Sequence, residues 1–179
     1  MPSSTRGRRI FLALLVCFVL AMIATVFWSW NLVGGVRGQA ATTDARLRDL
    51  AWAVLAYADA NDGFPMSEAE LRAFAAGGLP ETLAQPPLAI GGRAYPMSRS
   101  ELAPILPAGE SAGEGAGDVV REAIPSTLDE CFAVIEVEWP IMRDVQPILR
   151  PKGLPTLQGT VPTVGNWLYA MTERIRSGK

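Results

Sequence analysis

The sequence predicts an α+β chain, with a long N-terminal helix followed by short helices and a small antiparallel sheet. Three observations predict it. Ile10 to Trp30 is an apolar run of 21 residues without a charge. Thr43 to Ala60 follows with apolar residues at three- and four-residue steps, the mark of a helix face. Glu130 to Trp139 alternates apolar and polar side chains, the mark of a strand.

The first run sets the domain organisation. At 1.5 Å per residue it reaches about 31 Å, the thickness of a bilayer's hydrocarbon core. Before it the only charged side chains are Arg6, Arg8 and Arg9; after it stand 13 Lys/Arg and 18 Asp/Glu. The positive-inside bias then keeps residues 1–9 in the cytoplasm as a basic tail and exports the rest. Residues 10–33 read as a single transmembrane anchor in the inner membrane. Residues 34–179 read as a periplasmic or extracellular domain. Trp28 and Trp30 fall near the far end of the run, where indoles favour the membrane–water interface. A cleavable signal peptide is the rival reading, with Gly38 to Ala40 as its cleavage site. Its apolar core would be shorter and closer to that site. Cys17, inside the run, reads as a small packing residue.

Asn31 to Gln39 carries Gly34, Gly35 and Gly38, which predicts a kink or a short break. The helix resumes at Thr43. Leu47, Leu50, Ala51, Val54, Tyr57 and Ala58 make its packing face, and Arg46, Asp49, Ala53 and Asp59 lie off it. Asn61-Asp62-Gly63 predicts the stop, with Gly63 in a positive-φ conformation and Pro65 blocking continuation.

These residues resemble a family. A charged N-terminus, one apolar span and a helix ending in Leu55-Ala-Tyr-Ala-Asp-Ala-Asn-Asp-Gly-Phe-Pro65 look like the type IV pilin-like proteins. Among those they are most similar to the pseudopilins of type II secretion. The resemblance covers about residues 6 to 65. It implies that the second half of the long helix packs on a small sheet and that the Tyr57–Pro65 run closes it. It departs at the processing motif, a glycine followed by phenylalanine with a glutamate at the fifth position. Here Gly7 precedes Arg8, the fifth position holds Leu12, and the first acidic residue is Asp44.

In the rest of the chain, Ser67 to Glu70 reads as a capping box opening a helix over Glu68–Ala76, with Leu71 and Phe74 inward. Glu68 and Glu70 sit in its first turn, where acids complement the helix dipole. Residues 77–117 are rich in Pro and Gly. Short elements are expected at Ala89–Tyr95 and Ser100–Leu106, with a hairpin turn at Gly91-Gly92 and a mobile loop over 109–117. In the strand Glu130–Trp139, Cys131, Ala133, Ile135, Val137 and Trp139 share one face, and Glu136 and Glu138 share the solvated one. Ile141 to Val161 reads as an extended crossing segment. Thr163 to Arg176 reads as a closing helix with the stripe Val164, Leu168, Met171 and Ile175 and Trp167 beside it.

Composition narrows the function. The chain has no histidine, which removes Ser-His and Cys-His catalysis and most zinc and haem sites. Cys17 and Cys131 lie on opposite sides of the membrane boundary and imply no disulfide. An acidic domain without a basic stripe is a poor match to nucleic acid. No nucleophile elbow, metal spacing or phosphate loop appears, so no catalytic, cofactor or metal residues and no small-molecule substrate are assigned. The expected partners are the lipid bilayer and other subunits of a membrane or secretion assembly. Two structural readings stand: a pilin-like subunit of a secretion or pilus-type assembly, and a single-span accessory subunit of a respiratory or photosynthetic complex. An exported enzyme using scattered carboxylates is the third class.

Overall fold

The computed structural model describes residues 5–87, 94–102, 127–157 and 159–178, and in the first helix the side chains of 11–12, 14–28, 35–36 and 38 onward. Four α-helices are described: α1 (Thr5–Asn61), α2 (Glu68–Ala75), α3 (Leu128–Val134) and α4 (Thr160–Ser177). A 3₁₀ turn covers Arg99–Leu102. The strands β1 (Ile135–Glu138) and β2 (Ile148–Pro151) pair antiparallel, with Ile135 opposite Pro151 and Glu138 opposite Ile148. The chain is α+β. It divides into two compact units, Met1–Gln39 and Ala40–Lys179.

In the first unit the helix is unbroken through Gly34, Gly35 and Gly38, which corrects the expected break. A glycine costs a helix about 1 kcal/mol relative to alanine. Good helix formers on either side, with Ala40, Ala41 and Ala45 following, outweigh it. All described side chains from 11 to 28 are exposed. Over its described residues no helix is long and apolar enough to cross a membrane.

The second unit is built around the end of α1. Leu47, Leu50, Ala51, Trp52, Ala53, Val54, Leu55 and Ala58 are wholly inaccessible, and Tyr57 is buried. The expected single face is therefore too narrow: Ala53, placed off it, is as buried as Leu50. A helix enclosed on all sides must be apolar on all sides, and alanines let neighbours approach closely. One core cluster joins this segment to Phe64, Leu71, Leu83, Cys131, Ile135 and Leu149, and to Val164, Trp167, Leu168 and Met171 of α4. The Trp52 indole N–H donates to the Pro80 carbonyl (3.1 Å), so the largest core side chain keeps its polar edge satisfied.

The stop of α1 also differs from expectation. Asp62, not Gly63, takes the positive φ (49°), a conformation that short polar side chains tolerate. Gly63 serves a close approach: a Cβ there would lie 2.9 Å from Cβ of Arg143. The Ser67 hydroxyl caps α2 by accepting from the Glu70 N–H (3.3 Å). The Glu70 carboxylate reaches one residue further back than a capping box requires, to the Met66 N–H (3.0 Å).

The expected strand Glu130–Trp139 is half helix. Thr127 opens α3 with a full capping box, its hydroxyl accepting from the Glu130 N–H (3.3 Å) and its own N–H donating to the Glu130 carboxylate (3.2 Å). The sequence Thr127-Leu-Asp-Glu130 carries that signature, and it overrides the alternation as far as Val134. From Ile135 the alternation holds: Ile135 is buried and Glu136 and Glu138 are exposed. The segment after it, expected to be extended, holds the strand β2 and reaches the first two residues of α4.

Antiparallel pairing between Thr82 and Ser98, with Leu83 N–H on the Met97 carbonyl (2.9 Å), frames the span in which the Gly91-Gly92 turn was expected. That turn, most of Ala89–Tyr95, residues 103–106 and the 109–117 loop lie outside the described residues.

Candidate functional site

Among the described residues of the second unit, three side-chain clusters and one groove stand out. The first closes α1. The Tyr57 hydroxyl donates to Glu70 Oε2 (3.2 Å) and accepts from Arg143 Nη1 (2.9 Å). Arg143 Nη2 donates to Glu70 Oε1 (3.1 Å). The Phe64 N–H donates to the Arg143 carbonyl (2.7 Å), and Tyr57 meets Phe74 edge to face at 5.4 Å. The Met66 N–H, the Arg143 guanidinium and the Tyr57 hydroxyl hold the Glu70 carboxyl below the usual range, the backbone bond most strongly, against the opposing effect of burial. The Tyr57–Pro65 stretch is thus bolted to α2 and to the β1–β2 connection.

The second cluster ties α4 to α1. Arg174 and Asp59 form an ion pair whose side chains are 7 % and 8 % exposed. Asp59 also accepts from the Ala84 N–H (2.7 Å). Arg174 donates to the Tyr95 hydroxyl (3.4 Å), which itself donates to the Gln85 carbonyl (3.1 Å). Burial raises the Tyr95 pKa, and the neighbouring Arg174 opposes that rise. Arg174, in the last turn of α4, is buried. Its Nε and Nη2 find no partner among the described residues. The third cluster is the buried i,i+4 pair of Asp44 and Arg48 (2.6 Å).

The groove has a volume of about 430 Å³ and lies against β1, with Phe132, Ile135, Val137 and Trp139 as its apolar lining and Glu68, Glu136 and Lys152 at its polar positions. Arg72 stacks on Phe132 (5.0 Å to the ring centre) and pairs with Glu68 (2.7 Å) and Asp129 (2.5 Å).

The residues singled out from sequence are distributed as follows. Leu47, Leu50, Val54 and Tyr57 lie in the core. Trp28 is exposed, whereas the side chains of Arg6, Arg8, Arg9 and Trp30 lie outside the described ones. Glu68 and Glu70 do not form an acid pair, because each turns to its own arginine. Glu138 pairs across the sheet with Arg150 (3.1 Å). No group of three or more metal-binding side chains occurs among the described residues. Cys131 is buried and its thiol is pushed up to about 12, mainly by desolvation and then by Asp49, so it is not a nucleophile at neutral pH. Cys17 is free and exposed.

Sequence reasoning missed Arg143, Arg174, Tyr95 and Lys152. Each is a lone polar residue whose partner lies far along the chain, and no local spacing marks such a pair. No family model matches the chain, and comparison with curated proteins and with solved structures finds no match either.

Proposed function

We propose that this chain is a membrane-anchored structural subunit, pilin-like in plan, that acts through protein contacts in a secretion or pilus-type assembly. The observation that carries the reading is the surface of α1 between Phe11 and Trp28. Phe11, Leu14, Phe18, Leu20, Ile23, Val26, Phe27 and Trp28 are all more than half exposed. Contiguous apolar surface on this scale needs a cover, and Ile10–Trp30 matches a bilayer in length. The basic tail orients the helix with its N-terminus in the cytoplasm.

The second unit supports a structural role by its build. Its buried charges are paired, the end of α1 is clamped by Tyr57, Glu70 and Arg143, and α4 is fastened by Asp59–Arg174. Leu12 at the place of the family's docking glutamate favours a non-polymerising member.

Two measurements test the proposal together. Membranes carrying the full chain are extracted with alkaline carbonate, which leaves a true anchor in the pellet. Neighbours are then cross-linked in native membranes and identified. Release into the supernatant would end the anchor reading. Recovery of a pigment- or redox-bearing complex would move the subunit to that kind of assembly.

A further inference from the structure

We draw no further inference here: the strongest candidate, the apolar surface patch that Ile141 and Met142 expose in the connection between β1 and β2, beside the Arg143 that fastens this connection to Tyr57 and Glu70, carries none because nothing in the structure shows what covers it.

Discussion

A methyl group at position 63 has no room, because it would lie 2.9 Å from Cβ and 3.3 Å from the carbonyl oxygen of Arg143. Both neighbours are held, the carbonyl by the Phe64 N–H and the side chain by Tyr57 and Glu70. Gly63→Ala should therefore destabilise the second unit by about 1–3 kcal/mol, the usual cost of overpacking, read as a shift of the denaturant midpoint. Glu70 predicts a pH dependence. Its folded pKa lies below that of a free glutamate, so its contribution is complete above the free value. The contribution fades as pH falls through the lower folded pKa. Acid titration of stability should be shallower in Glu70→Gln than in the parent chain. Asp59 and Arg174 are both buried, so removing one partner strands the other. Arg174→Ala should cost about 3–5 kcal/mol, and the double change Asp59→Leu with Arg174→Met should cost clearly less.

At the scale of elements, α3 tests how local signals compete. The alternation Cys131-Phe-Ala-Val-Ile-Glu-Val-Glu138 reads as one strand, yet the cap at Thr127 winds its first part into a helix. Thr127→Ala removes the hydroxyl that accepts from Glu130 N–H, and a loss of about 1 kcal/mol is expected in thermal or chemical unfolding. Cys131 reports on the same element. Its thiol is buried and raised to about 12, so alkylation at neutral pH should follow unfolding and proceed faster in the Thr127→Ala chain. Elements with apolar stripes and caps were legible: α2 begins at Glu68 as Ser67 announced, and Val164, Trp167, Leu168, Met171 and Ile175 of α4 are all buried. The strand β2 was not, because Ile148-Leu-Arg-Pro151 is four residues long and ends in proline. Only pairing with β1 makes it a strand.

At the scale of the whole molecule, the proposed anchor makes a quantitative claim. A charge placed at the middle of the apolar run, as in Phe18→Arg or Leu20→Arg, should cost about 2.5–3.5 kcal/mol of insertion. The carbonate-resistant fraction of the chain should fall accordingly. The same substitution should leave the denaturant midpoint of the second unit unchanged, since unit Ala40–Lys179 carries its own core.

The sequence by itself determined what depends on neighbours in the chain. Those are the length and neutrality of Ile10–Trp30, the charge asymmetry around it, the helical stripes, the caps and the absence of histidine. Local spacing encodes these because helix and strand periods act over a few residues. The tertiary structure alone decided what depends on distant residues meeting. It enclosed the Leu50–Ala58 part of α1 on every side rather than one. It set Arg143 against Gly63, Tyr57 and Glu70, and it buried Arg174 on Asp59, 115 positions away. Burial and pairing of this kind follow from where the chain returns in space, and no periodicity in the sequence records that.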